Sequence, residues 1–144
     1  MGDKVLVVDD EQEIRDLLNT FLTQQGYDVF LASNGTAAIQ LANQEDPGVI
    51  LLDVKMPEID GIEVCKRLKA EEKTKSIPII ILTGLGDREL EAYLEGADDF
   101  VRKPFLIEEL SIRVKSALHI RNLTNELDRA LAYIKELEKN LAGM

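Results

Sequence analysis

Four short apolar runs in this chain each lead to a polar residue. Val5-Leu6-Val7-Val8 ends at Asp9-Asp10, Val49-Ile50-Leu51-Leu52 ends at Asp53, Ile77-Pro78-Ile79-Ile80-Ile81-Leu82 ends at Thr83, and Phe100-Val101 leads to Lys103-Pro104. The longer runs are continuous rather than alternating, as parallel strands covered on both faces are. In open α/β sheets, ligands bind outside the carboxyl ends of the strands. Strand ends that carry acid, acid, hydroxyl and ammonium therefore predict a parallel sheet with a polar site on one rim.

The segments between the runs carry helical spacing. Ile14, Leu17, Leu18, Phe21 and Leu22 form one amphipathic stripe, closed by Gly26. Ala37, Ala38, Leu41 and Ala42 mark a second helix after Asn34-Gly35, and Ile62, Cys65 and Leu68 a third. Leu90, Tyr93 and Leu94 mark a fourth, with Asp87 near its start and Gly96 past its end. A fifth begins after Pro104 and holds Leu106, Leu110, Val114, Ala117 and Leu118. Tyr27 to Ala32 reads as a weaker edge strand and Ala97 to Arg102 as a fifth strand. Strict alternation of strand and helix implies right-handed crossovers. The count fits a flavodoxin-like three-layer sandwich with a five-stranded parallel sheet in the order 2-1-3-4-5. In that order strands 1 and 3 flank the reversal point, so Asp9, Asp10 and Asp53 should converge.

The last helix does not stop where such a domain should. No glycine falls between Gly96 and Gly143, and no proline follows Pro104. At Ile120 the apolar stripe rotates by roughly a third of a turn. It then runs through Leu123, Leu127, Ala130, Ile134, Leu137 and Leu141. We expect a domain over residues 1–119 and a helical extension over 120–144, either coiled coil or linker. The extension reaches the minimum length for a heptad pattern, and Leu131 broadens its face. The flanking positions His119, Thr124, Glu126, Leu131, Tyr133 and Glu138 carry few charges and so specify partner and orientation weakly. The stripe predicts a homodimer through this helix, or docking to another partner.

The formal net charge of −10 opposes direct binding to nucleic acid or to an anionic membrane. The whole excess lies in residues 1–119. Cys65 is the single cysteine, which rules out an internal disulfide, and its helical setting suggests a small core residue. No apolar stretch approaches the ~18 residues of a membrane span, and the first strand leaves no room for a signal peptide. A cytoplasmic protein is expected.

Three gathered carboxylates cannot all stay ionised without a cation, so either one takes a proton or a metal neutralises them. With no histidine or cysteine beside them, an all-oxygen site suits Mg²⁺ rather than zinc. Mg²⁺ sites of this kind usually handle phosphate. Lys103 would add a second cation and Thr83 a hydroxyl donor. Asp9 and Asp10, adjacent in sequence, suit the metal. Asp53 stands alone at the centre, where a carboxylate can attack phosphorus and form an acyl phosphate. Asp9-Asp10 could also simply cap the first helix, and Phe100 could be only core packing. His119 reads as a solvated helical position. Gly84-Leu85-Gly86 lacks the third glycine of a dinucleotide fingerprint.

The chain resembles the receiver domain of two-component response regulators, of the kind found in chemotaxis, over about residues 3–120. The resemblance rests on Val7-Val8-Asp9-Asp10-Glu11, on Leu52-Asp53-Val54-Lys55-Met56-Pro57-Glu58-Ile59-Asp60-Gly61, on Ile81-Leu82-Thr83-Gly84, and on Gly96-Ala97-Asp98-Asp99-Phe100-Val101-Arg102-Lys103-Pro104-Phe105. It implies that Asp53 is the phosphoacceptor and that Asp9, Asp10, Asp53 and the backbone carbonyl of Lys55 bind Mg²⁺. It implies that Thr83, Lys103 and the backbone N–H of Gly84 hold phosphoryl oxygens, and that Thr83 and Phe100 form the switch pair. Pro104 would follow a cis peptide bond. The donor would be a phosphohistidine on a sensor histidine kinase or phosphotransfer protein, and the recipient of the signal an output domain or effector protein. Such a domain is a phosphoacceptor that assists its own phosphorylation and dephosphorylation, not an enzyme with a separate substrate. Lys55 and Leu85 occupy positions that tune the phosphoryl lifetime in this family. Two rival readings are an aspartyl-nucleophile phosphatase, which would need an acid where Lys55 stands, and an assembly module acting mainly through the C-terminal helix.

Overall fold

In a computed structural model of the chain, residues 2–84 and 88–143 are described, except for the side chains of Glu89, Leu90, Leu94 and Arg129. The expectations placed on Leu85, Gly86 and Asp87, and on the Leu90 and Leu94 side chains, lie outside the described residues. Elements alternate throughout: β1 (Lys4–Val8), α1 (Gln12–Gln24), β2 (Asp28–Ala32), α2 (Gly35–Glu45), β3 (Val49–Asp53), α3 (Gly61–Ala70), β4 (Ile79–Thr83), α4 (Glu89–Leu94), β5 (Asp99–Arg102) and α5 (Ile107–Ala142). The strands form one parallel sheet in the order β2-β1-β3-β4-β5, the flavodoxin-like arrangement.

The continuous apolar runs have a direct structural cause. Successive strand residues point to opposite faces, and both faces are covered. Leu6, Val8, Ile50, Leu52, Ile79 and Ile81 pack with Ala38, Ala42, Ile62, Cys65 and Leu68 from α2 and α3. Val5, Val7, Leu51, Ile80, Leu82 and Val101 pack with Leu18 and Leu22 of α1 and with Leu110, Val114 and Leu118 of α5. β2, at the sheet edge, mixes buried and exposed positions. Side-chain caps set the starts of two helices: Asn34 accepts the Ala37 N–H and Asp60 accepts the Glu63 N–H, both at 2.8 Å. Gly26 leaves α1 at φ 93°, where a side chain would be strained.

Three expected core positions fall elsewhere. Leu106 precedes α5 and is 70% exposed. The helix begins one residue later than the spacing implied, and Phe105 packs on the α1/α5 core instead. Leu17 is 49% exposed, because α1 seats on Leu18 and Leu22 and turns Leu17 outward. Tyr93 is also exposed. β5 starts at Asp99 rather than Ala97.

α5 is one helix of 36 residues, about 54 Å long. Its buried stripe of Leu110, Val114 and Leu118 gives way to exposed Ile120, Leu123, Leu127, Leu131, Ile134, Leu137 and Leu141. The helix stays seated on the domain as far as Arg121, which pairs with Asp46 at 3.2 Å.

Gly61 fixes the distance between β3 and α3. Its N–H donates to the Val54 carbonyl at 2.8 Å, and a Cβ there would collide with the Asp53 carbonyl oxygen and lie 2.9 Å from the carbonyl carbon. Both obstacles are backbone. Gly61→Ala should therefore lower stability by about 1–3 kcal/mol, read as a lower urea midpoint with an unchanged slope. An unchanged midpoint would contradict this close approach.

Candidate functional site

The site is assembled from four strand ends. Parallel register sets Val8 beside Leu52 and Asp53 beside Leu82, so the residues that follow β1 meet the end of β3. One carboxylate oxygen from each of Asp9, Asp10 and Asp53 lies within 4.8 Å of the others. Asp9 is fully buried, Asp53 is nearly so and Asp10 is exposed. Lys103 reaches in from the end of β5. Its ammonium donates to Asp9 Oδ2 at 2.9 Å and to Asp53 Oδ1 at 3.2 Å. The Lys103 backbone N–H donates to the Thr83 carbonyl at 2.7 Å, and the Lys103–Pro104 bond is cis. The convergence expected of residues 9, 10, 53 and 103 is present.

Asp9 is held at both carboxylate oxygens. Oδ2 takes Lys103, and Oδ1 accepts the Glu11 N–H at 2.9 Å. This local turn is the residue's contact with the start of α1. The helix N-cap itself is Glu11, which makes no side-chain cap bond, so the capping reading of Asp9-Asp10 does not describe these residues. Arg15 donates to the Asp9 carbonyl at 2.6 Å and fixes the backbone beside the site. Nothing in the spacing of the sequence singles Arg15 out, because it sits on the first turns of α1 like any solvated arginine.

Thr83 is buried, and its hydroxyl donates to the Gly84 carbonyl at 3.1 Å. Phe100 lies opposite Ile81 in the ladder and shares a face with Thr83, two positions further along β4. Its ring is half-buried against the α2/α3 core, 6.4 Å from the exposed Tyr93 ring. Lys55 is exposed in the irregular segment after β3, and Gly84 is half-buried at the end of β4.

Charge in this pocket is unbalanced. Burial, and then the neighbouring Asp9 carboxylate, push the Asp53 carboxyl up to about 7 from an ordinary 3.8, against the attraction of Lys103. For Lys103, burial works against the charged form, but the hydrogen bond to Asp9 and the charges of Asp53 and Asp9 outweigh it, and its pKa rises. Among the described contacts, the Lys103 ammonium reaches two of the three clustered carboxylates. An all-oxygen donor set with surplus negative charge and an open, exposed member in Asp10 fits a hard divalent cation that keeps several waters, as Mg²⁺ does.

A doubly wound α/β domain with an acidic pocket at its reversal point is the class these features define. Residues 5–115 match the response regulator receiver domain family, and the chain belongs to it. It is 40% identical to the DNA-binding dual master transcriptional regulator RpaA of a Synechocystis strain, over 80% of this chain and 48% of that protein. It is 46% identical to the probable transcriptional regulator ycf27 of Porphyra purpurea, over 81% of this chain and 47% of that protein. The chain spans about half the length of the curated relatives it matches. Among solved structures, the chemotaxis protein CheY4 of Vibrio cholerae superposes with a TM-score of 0.76 at 31% identity, covering 81% of this chain and 99% of that one.

The raised Asp53 carboxyl has a consequence for stability. The folded chain holds this proton more tightly than the unfolded chain, so in chelator its contribution to stability is greatest below about 4 and is lost as pH rises towards 7. Asp53→Asn removes that loss. In EDTA at pH 8 the variant should be more stable by on the order of 1–3 kcal/mol, with little gain at pH 4 and a smaller gap in saturating Mg²⁺. Urea melts at the two pH values check this, and a variant less stable at pH 8 would contradict it.

Proposed function

We propose that this chain is a phosphorylation-controlled switch of a two-component phosphorelay. The observation that carries the reading is the buried Asp53 carboxylate, held beside Asp9 by Lys103 and next to Asp10. Asp9, Asp10, Asp53 and the backbone carbonyl of Lys55 would hold Mg²⁺, which when bound neutralises the carboxylates and the incoming phosphoryl oxygens. The Asp53 carboxylate attacks phosphorus, the N–P bond of a donor phosphohistidine breaks, and the imidazole leaves. The donor is a sensor histidine kinase or a phosphotransfer protein. Lys103 turns part of its hydrogen bonding to the transferred group. The Thr83 hydroxyl leaves the Gly84 carbonyl to bind a phosphoryl oxygen, with the Gly84 N–H at a second. Phe100, on the same face, turns into the space that Thr83 vacates.

This shifts a two-state equilibrium and changes the surface of α4, β5 and α5. Because α5 continues into the exposed stripe, the change passes to the helical extension and from there to an output domain or effector protein. The chain acts in the cytoplasm as a phosphoacceptor that assists its own phosphorylation and dephosphorylation. Its net charge disfavours direct contact of this region with nucleic acid or an anionic membrane, and no described helix is long and apolar enough to cross a membrane. Acetyl phosphate with Mg²⁺ should label the wild type once, at Asp53. Asp53→Asn should abolish the label, as read by intact mass, and normal labelling of that variant at the same residue would refute the assignment.

A second reading, an assembly module acting mainly through the C-terminal helix, draws on the exposed stripe from Ile120 to Leu141. The two combine if the domain over residues 1–119 is the switch and residues 120–144 pair two copies as a coiled coil. Leu127→Asp should then halve the mass in solution seen by light scattering, and removing residues 120–144 should give the mass of a single truncated chain. A monomeric wild type with this helix intact would exclude the homodimer.

A further inference from the structure

Asp9 is fixed at each of its polar groups. Its N–H donates to the Ala32 carbonyl of β2 at 3.2 Å, Oδ1 accepts the Glu11 N–H at 2.9 Å, and Oδ2 accepts from the Lys103 ammonium at 2.9 Å. The remaining group, the Asp9 carbonyl, accepts from Arg15 Nη1 at 2.6 Å. Arg15 is itself seated on the start of α1, where its N–H donates to the Glu11 carbonyl at 3.1 Å. The bonds close a ring: Arg15 side chain to the Asp9 carbonyl, Arg15 backbone to Glu11, and Glu11 back to the Asp9 carboxylate.

Asp10 is the residue enclosed by that ring. A peptide unit is planar, so the Asp9 carbonyl and the Asp10 N–H turn together, and the Arg15 bond sets the plane that precedes Asp10. The Glu11 N–H bond to Asp9 Oδ1 sets the plane that follows it. With both planes set, the two backbone dihedrals of Asp10 are set, and with them the direction of its Cβ. Asp10 depends on this more than its neighbours in the cluster do. Asp9 and Asp53 are buried and held by Lys103, whereas Asp10 is exposed.

Arg15 also carries a positive charge. A guanidinium close to the cluster opposes a divalent cation by repulsion, whereas a guanidinium that orients a ligand assists the cation. The two effects have opposite signs, so the direction of a change in affinity separates them.

We propose that Arg15 is a positioning residue for the divalent cation: through the Asp9 carbonyl it aims the Asp10 carboxylate into the cluster. The inference rests on the reading of Asp9, Asp10 and Asp53 as a Mg²⁺ site. Arg15 acts on the affinity for the cation rather than on the attack by Asp53, because its bond is to the backbone of Asp9 and the Asp53 carboxylate is held by Lys103.

The test is the affinity of the full chain for Mg²⁺ alone, measured by isothermal titration calorimetry. Arg15→Met removes the donor and the charge and keeps an unbranched chain. It should raise the Kd for Mg²⁺ about tenfold, although a repelling charge has been removed. Arg15→Lys, which keeps a charge and a donor, should recover part of the loss. Arg15→Gln, too short to keep the bond, carries the same expectation as Arg15→Met and replaces it if that variant does not fold. With Asp10→Asn already in place, Arg15→Met should change the Kd by less than about twofold, because it acts through Asp10. Labelling of Asp53 by acetyl phosphate at saturating Mg²⁺ should stay within about twofold of the wild-type rate, while the Mg²⁺ concentration that gives half that rate rises. An unchanged or lowered Kd in Arg15→Met, or the full loss when Asp10 is already replaced, would overturn the positioning role. Failure of the underlying metal-site reading is distinct: Asp10→Asn would then bind Mg²⁺ as tightly as the wild type.

Discussion

The Lys103 ammonium between Asp9 and Asp53 is the contact on which the rest of the site depends. It joins residues 94 and 50 positions apart in sequence, and it does so where burial makes each charge costly. Without it, Asp9 would be a fully buried carboxylate with one local N–H for a partner. With it, the pocket is still under-neutralised, and that surplus is the property that matters. A balanced site would have no electrostatic reason to attract a divalent cation, whereas the surplus carboxylate charge left beside Lys103 gives it one.

The fold exists in a form that makes this contact. A parallel sheet releases every strand at the same edge, and the order β2-β1-β3-β4-β5 sets β1 next to β3 at the reversal point. The acids follow from those two strands, the hydroxyl from β4 and the lysine from the end of β5. Both faces of the sheet are closed by helices, so these polar groups emerge at a rim whose surroundings are apolar. That setting raises the Asp53 carboxyl and makes its charge state responsive to a bound cation.

Much of this was legible in the sequence for physical reasons. Strands buried on both faces must be continuously apolar, so β1, β3 and β4 announced themselves and their last residues located the rim. The convergence of residues 9, 10 and 53 followed from strand order. Less legible were the margins. Leu17 and Leu106 are apolar residues at helical spacing that the tertiary packing leaves outside, because α1 seats on two leucines and α5 begins one residue late. Arg15 carries no periodic or motif signal at all. Its role comes from reaching a carbonyl just past β1, which only three-dimensional placement reveals. The extension was legible as an apolar stripe out of phase with the buried one, and the structure adds that packing on the domain persists to Arg121.

The most direct test of the site is a structure of the chain with Mg²⁺ and beryllofluoride, a stable mimic of the phosphoryl group. The beryllofluoride should sit on Asp53, the cation among residues 9, 10 and 53, and the Lys103 ammonium within hydrogen-bond distance of a fluoride. A beryllofluoride bound elsewhere, or a cation that leaves Asp9 and Asp53 untouched, would contradict this assignment.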